Sequence, residues 1–246
     1  MKNFLLIPVL LLTVIFTSCS TETLDPGAMY SNESSAQIFS AGEKAMQDND
    51  LTEAIYRFEA MDAQYPFSQY TQKTQLNLIY CYYENDDIPS ALASSDRYIQ
   101  LYPRDNHIDY AYYMRGLIKF DENRGSVEKF FGIDFANRDI TVLKDAFFDF
   151  SYIARHYPHS PYAQDARQHM IYIRNTLAQH QLNIARYYFD RKAYVAAINR
   201  ATDIVTHYQK STAVEDALIL MRDSYNELQL KDEAKKIDAI IKSNFG

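Results

Sequence analysis

The chain has 246 residues, of which 47% are hydrophobic and 23% are charged, so its composition is that of a globular protein and not of a disordered one. It contains only 6 Gly and 7 Pro, which argues against turn-rich β folds and Gly-rich α/β folds and favours an all-α fold. The formal net charge of −7 argues against nucleic acid as a partner, and 2 Cys are too few for a disulfide framework.

Residues 1–18 have the pattern of a bacterial lipoprotein signal peptide. Lys2 precedes an apolar run from Phe4 to Phe16, which is shorter than the roughly 20 residues of a membrane span. Two small residues then stand directly before Cys19, as in the lipobox of bacterial lipoproteins, although Phe16 occupies a position where that motif prefers Leu. The alternative is plain secretion with an incidental Cys.

Lipidation of Cys19 is the only covalent modification that the sequence predicts. No cofactor is expected. The thiol takes S-diacylglycerol, and the amine freed by cleavage takes an N-palmitoyl chain, which together hold a soluble domain on a bilayer. Ser20 follows, where Asp retains Gram-negative lipoproteins in the inner membrane, so we expect the periplasmic face of the outer membrane. Residues 19–35 are polar and contain Pro26 and Gly27, which predicts a lipid-anchored tether.

The rest of the chain repeats itself. A small residue precedes a Tyr-Pro pair at a fixed distance in three places, so that Ala and Pro are twelve positions apart: Ala54 and Pro66, Ala91 and Pro103, Ala146 and Pro158. Two weaker copies keep the frame at Ala197 and Ala234. A small Ala allows two helices to approach closely, and Pro ends the second helix, so each copy predicts a helical hairpin.

The spacing is typical of tetratricopeptide repeats, which are 34 residues long with small residues, aromatics and Pro at such offsets. We therefore predict an all-α superhelical solenoid of five tetratricopeptide hairpins over 36–246, with N-terminal repeats at about 36–160 and C-terminal repeats at about 161–246. An insertion that includes Phe130–Asp139 interrupts the third repeat. The stretch from Tyr162 to Asp190 has no Gly or Pro and is long enough for one helix of roughly 40 Å.

Five segments make the resemblance more specific: 64–67 (QYPF), 78–83 (LIYCYY), 113–117 (YMRGL), 130–134 (FFGID) and 193–200 (AYVAAINR). In these segments, in the lipoprotein signal and in both interruptions, the chain resembles the BamD family. These are the tetratricopeptide lipoproteins of the β-barrel assembly machinery in Gram-negative outer membranes.

The resemblance implies a non-catalytic periplasmic adaptor with BamA, BamC and BamE as partners. Its C-terminal repeats would bind the POTRA region of BamA, through Arg200 with the neighbouring Asn199, Arg191 and Tyr187. Its N-terminal repeats would receive the β-signal of unfolded outer-membrane proteins, with Tyr65, Pro66 and Phe67 as candidate pocket residues. The alternatives are a solvated Arg200 and simple inter-repeat packing of Tyr65 and Phe67.

Two other functions are alternatives to the adaptor. An enzyme is disfavoured because His156 and His159 lie among prolines without the helical register of a zinc site, and no nucleotide-binding or serine-hydrolase motif occurs. Cys81 lies in an apolar helical stretch and is expected to be a buried small hydrophobe. Another tetratricopeptide lipoprotein that acts as a scaffold of the cell envelope remains the alternative function.

Overall fold

The structure is a computed structural model, which describes residues 26–124 and 140–246. A single-turn helix, α1 (Pro26–Met29), precedes five helical hairpins. The paired helices are α2 (Ser35–Gln47) with α3 (Leu51–Gln64), α4 (Thr71–Glu84) with α5 (Ile88–Leu101), α6 (Ile108–Arg124) with α7 (Thr141–His156), α8 (Ala163–Asp190) with α9 (Tyr194–His207), and α10 (Val214–Glu227) with α11 (Lys231–Phe245). From α2 onward each helix packs on the next one in the chain, and α1 packs on α3. The predicted all-α solenoid of five tetratricopeptide hairpins is confirmed.

Small residues bring the two helices of each hairpin together. The five frame alanines are all buried: Ala54, Ala91, Ala146, Ala197 and Ala234. In the first and third hairpins a glycine faces a fully buried phenylalanine across the pair. A Cβ on Gly42 would lie 2.7 Å from Cε1 of Phe58, and a Cβ on Gly116 would lie 2.8 Å from Cε1 of Phe150. The close helix approach therefore depends on the absence of side-chain volume at these positions.

The turn inside a hairpin is the same in four of the five repeats. Three residues join the helices, and the middle one is left-handed, with φ between 59° and 61°, at Asn49, Asp86, Lys192 and Gln229. In the first two repeats an aspartate then caps the second helix, as where the side chain of Asp50 accepts a hydrogen bond from the backbone N–H of Glu53. In the third repeat the connection includes 125–139, so the predicted insertion Phe130–Asp139 lies outside the described residues.

The Tyr-Pro pairs end the second helices as expected. Tyr65, Tyr102 and Tyr157 cap α3, α5 and α7 with φ between −129° and −126°, and the Pro that follows disfavours a helical conformation at the residue before it. In the fourth repeat Tyr208 caps α9 with a similar backbone, although no Pro follows it.

The long helix α8 belongs to two repeats at once. Its first half, including Ile173 and Leu177, packs in a buried cluster with α7, and its second half, including Ala178 and Leu182, packs in a cluster with α9 and α10. The prediction of one uninterrupted helix between the N-terminal and C-terminal repeats is confirmed, with 28 residues.

The end of the predicted tether is part of the folded domain. Tyr30 is buried against Met61, and its hydroxyl donates to Glu53. Arg57 lies over the Tyr30 ring at 4.3 Å and forms a salt bridge with Glu33 at 2.9 Å. Residues 26–34, placed in the tether by composition, therefore pack on α3, because one aromatic and one ion pair fix an otherwise polar segment. Residues 1–25, including Cys19, lie outside the described part of the chain.

Candidate binding surfaces

A large groove of about 820 Å³ crosses the first helices of the N-terminal repeats, and we call it the α4 groove. One stripe of α4 lines it at helical spacings of three and four residues: Gln72, Lys73, Leu76, Asn77 and Tyr80. Gln69, in the turn before α4, also lines it. The remaining lining comes from Met46 of α2, from the start of α6 and the turn before it at Asp105, Asn106, His107, Asp109 and Tyr110, and from Pro161 and Tyr162 before α8. The stacking of successive hairpins therefore forms the groove from residues that are distant in sequence.

The α4 groove combines aromatic surface with hydrogen-bonding groups. Tyr80 is 38% exposed into it. The Tyr80 and Tyr110 hydroxyls are protonated donors at neutral pH, as ordinary tyrosines are, and burial raises the pKa of both further. The Asn77 amide nitrogen is buried and has no hydrogen-bond partner among the described residues. Lys73 forms a salt bridge with Glu43 at 2.5 Å but remains largely exposed. Such a surface suits an extended peptide with aromatic side chains.

The three candidate β-signal residues do not line this groove. Tyr65 is half-buried among Ile38 and Met61, and its hydroxyl donates to the backbone carbonyl of Glu33 at 2.8 Å, so it fastens the N-terminal segment to the first hairpin. Pro66 is exposed, and Phe67 is 99% exposed at the turn that leads into α4.

A second surface lies on the C-terminal repeats and contains two of the predicted interface residues. Arg200 and Asn199 line a shallow groove of about 400 Å³ together with Tyr188, Ala196 and Asp203. Arg200 is half-buried, and its guanidinium donates to the side-chain oxygen of Gln181 on α8 at 3.3 Å. The Arg200 guanidinium therefore lines the groove and is hydrogen-bonded to a neutral amide.

The other two predicted residues form an exposed stack beside that groove. The guanidinium of Arg191 lies 4.3 Å from the centre of the Tyr187 ring, and Tyr187 is 52% exposed. Tyr188, which meets the Tyr187 ring edge to face, lines both the Arg200 groove and a neighbouring one formed with His180, Asn183 and Ile184. We call Tyr187, Tyr188, Arg191, Asn199 and Arg200 the C-terminal surface. Tyr188 is half-buried at the junction of the two grooves.

The most deeply buried charge is part of a structural network in the third repeat. Asp149 is fully buried and accepts hydrogen bonds from both Arg115, at 2.5 and 3.1 Å, and Lys119, at 2.8 Å. Arg115 also bonds Asp96 of the preceding hairpin at 2.6 Å. The network joins three helices, and every acid in it has a cation.

The described residues contain neither a metal-binding cluster nor a membrane-spanning helix. In 26–124 and 140–246, no group of three or more His, Cys, Asp or Glu side chains is placed to hold a metal ion. Within the same ranges, no helix is both long and apolar enough to cross a bilayer.

Stacked helical hairpins with open grooves on their surface define a tetratricopeptide-repeat protein. A family model described as YfiO, outer membrane lipoprotein, matches residues 31–240, and the chain belongs to this family. The similarity to the BamD family inferred from the sequence is thereby confirmed.

Curated relatives cover most of the chain. A Pasteurella multocida protein is 37% identical over 210 residues, which are 85% of this chain and 81% of the relative. A Vibrio cholerae protein is 34% identical over 244 residues, 99% of each chain. A Neisseria meningitidis protein is 31% identical over 236 residues, 95% of this chain and 88% of the relative. All three are named outer membrane protein assembly factor BamD.

Proposed function

We propose that this protein is a non-catalytic adaptor of outer-membrane protein assembly, held on the periplasmic face of the outer membrane by lipid on Cys19. Membership of an outer membrane lipoprotein family and relatives named as assembly factors support this role. The single observation that carries it is the pair of separate grooves on one solenoid, since an adaptor must engage two different proteins at once.

The C-terminal surface is the proposed contact with the POTRA region of BamA. Arg200 has a neutral hydrogen-bond partner, and the Tyr187–Arg191 stack beside it is exposed. A carboxylate of a partner would gain a charge-assisted hydrogen bond from Arg200 in a partly desolvated groove, while Asn199 and Tyr187 would contact the surrounding backbone. BamC and BamE are proposed as further partners of the same complex.

The N-terminal repeats are the proposed receptor for β-signals of unfolded outer-membrane proteins. The α4 groove supports this assignment better than Tyr65, Pro66 and Phe67 do, because it provides aromatic walls and an amide without a partner for a peptide backbone. Phe67, fully exposed next to the groove residue Gln69, is proposed as an outlying contact.

Two experiments test the proposal. Lipidated protein extracted in mild detergent should co-purify with BamA, whereas recovery with other envelope proteins and no BamA would favour a scaffold of a different complex. In addition, Arg200→Glu should weaken binding to the isolated POTRA region by about tenfold or more, because it places a like charge against the partner's carboxylate. Lys210→Glu makes the same charge change at an exposed turn and should have no effect. An affinity within twofold of the parent would remove Arg200 from the interface.

The lipid anchor is tested separately. Cys19→Ser should abolish labelling by radioactive palmitate and release the protein from the outer-membrane fraction, since the acyl chains supply the membrane affinity. Unchanged fractionation of this variant would contradict the anchor.

A further inference from the structure

Each repeat presents one side chain to the hairpin that follows it. The seventh residue after the frame alanine is fully buried in the first four repeats: Met61, Tyr98, Ile153 and Ile204. Tyr98 shares its cluster with Ile108 and Ala111 at the start of α6. Ile204 shares its cluster with Ala213 and Val214 at the start of α10. In the second, third and fourth repeats the following first helix therefore covers this position, whereas Met61 of the first repeat lies in a cluster with Tyr30 and Ile38.

In the fifth repeat the same position is less buried. Ile241 packs against the cluster that includes Leu218 and Met221 of α10, but it is only half-buried. Phe245 occupies the place that tyrosine holds in the other four repeats; those tyrosines are half-buried, but Phe245 is 46% exposed. In the described part of the chain, α10 is the helix that packs extensively on α11. We call Asp223, Ile241 and Phe245 the terminal face.

The helices that cover this position elsewhere share a signature. Their first and fourth residues are both buried, and the fourth is small in every case: Thr71 and Thr74, Ile108 and Ala111, Ala163 and Ala166, Val214 and Ala217. A small side chain at the fourth position allows the covering helix to approach the preceding hairpin closely.

A charge pair accompanies two of these junctions. Glu43 pairs with Lys73 at 2.5 Å, and Arg186 pairs with Asp216 at 2.7 Å. Both Glu43 and Arg186 stand eleven residues before their frame alanine, and both partners are the third residue of the covering helix. In the fifth repeat this position is Asp223.

The Asp223 side chain is accessible to a helix that would dock on the terminal face. Its side chain is 42% exposed, and the described cation bound to it is its neighbour Arg222, at 2.9 Å. A helix that docks on the terminal face in the same way as the internal helices would place its third residue against Asp223. A Lys or Arg there would be complementary.

We propose that the terminal face binds an amphipathic helix of a partner protein whose first four residues run apolar, any residue, Lys or Arg, and a small residue. This helix continues the solenoid by one further first helix. The proposal goes beyond the adaptor function and does not depend on the α4 groove or the C-terminal surface.

A second copy of this chain does not fit the terminal face as well. Among the described helices, α4 comes nearest to this sequence, with Lys73 third, although its first residue, Thr71, is polar. Its first and fourth residues, Thr71 and Thr74, are already buried within its own solenoid. A folded copy therefore has no free α4 to donate.

The test uses two helical peptides of the α10 sequence, residues 214–227, one with the original Asp216 and one with Asp216→Lys. Both carry the same hydrocarbon staple on the face away from Ala217. We expect the lysine peptide to bind the full-length protein in detergent about tenfold more tightly than the aspartate peptide, as measured by fluorescence anisotropy. Asp223→Lys should reverse this preference, whereas Asp232→Lys, the same charge change at a fully exposed position of α11, should leave it in place.

Failure of both peptides to bind, equal binding of the two, or an unchanged preference in Asp223→Lys would overturn the proposal. A second measurement replaces Phe245 by p-benzoylphenylalanine in cells and maps the crosslinked segment by mass spectrometry. The proposal requires a helix of another protein with the stated first-turn signature and loss of the crosslink in Asp223→Lys. A crosslink to a second copy, or to a segment without this signature, would contradict it.

Discussion

At the scale of single residues, stability depends on a few positions between paired helices where a larger side chain does not fit. Gly42 and Gly116 each face a buried phenylalanine too closely for any Cβ, and Ala54 and Ala146 on the second helices are fully buried. The sequence predicted the alanine frame because it recurs five times at one spacing. The left-handed turn residues were not predictable from composition, since Lys192 and Gln229 have no preference for that conformation.

Gly42→Ala should destabilise the protein by about 1–3 kcal/mol, because overpacking against Phe58 outweighs the helix propensity gained on replacing Gly by Ala. Urea denaturation followed by circular dichroism measures this. Ser40→Ala, at an exposed site on the same helix, should be neutral or slightly stabilising. Equal or higher stability in Gly42→Ala would show that Phe58 moves aside freely.

The thiol of Cys81 should be unreactive in the folded protein. It is fully buried, and burial raises its pKa to about 12, so at pH 8 only about one molecule in ten thousand carries the thiolate. Labelling by a maleimide at pH 8 should therefore be slow without urea and fast in urea, and should accelerate as the pH rises toward 12. Rapid labelling of the native protein would contradict the buried placement.

At the scale of helices, α8 is the element that couples the two groups of repeats. Its length was predictable because 162–190 contains no helix breaker, and the structure adds that its two halves belong to different buried clusters. The packing of Tyr30 on α3 was not predictable, because a single aromatic in a polar segment has no periodicity. The α4 groove was missed for a different reason: its walls come from α2, α4, α6 and the turns before α4, α6 and α8.

Thr176→Pro should break α8 between the two clusters and lower the free energy of unfolding by about 3 kcal/mol or more. Because each repeat contacts mainly its neighbours, the single unfolding transition should also split into two. Differential scanning calorimetry separates the transitions, with Thr176→Ala as the control. A single transition at unchanged temperature would mean that α8 does not carry the coupling.

At the scale of the whole molecule, the solenoid separates its two proposed tasks along its length. The α4 groove lies on the first three repeats and the turn before α8, and the C-terminal surface lies on the second half of α8, on α9 and on the turn between them. Family resemblance predicted this division, and the structure places Arg200 and Asn199, predicted together as interface residues, in one groove. Tyr65, Pro66 and Phe67 stay predictions for the β-signal; they do not line the α4 groove, and sequence alone does not distinguish a turn beside a groove from a turn that lines it.

The most direct test of the adaptor account measures two affinities on the same set of variants. Tyr80→Ser should weaken binding of a β-signal peptide by about tenfold, because it removes aromatic surface from the α4 groove, and should leave POTRA binding unchanged. Arg200→Glu should do the opposite, and Tyr56→Ser, at a tyrosine of similar exposure on α3 that does not line the groove, should change neither. If Tyr80→Ser and Arg200→Glu each alter both affinities, or if neither alters any, the two proposed sites are not separate and the account is wrong.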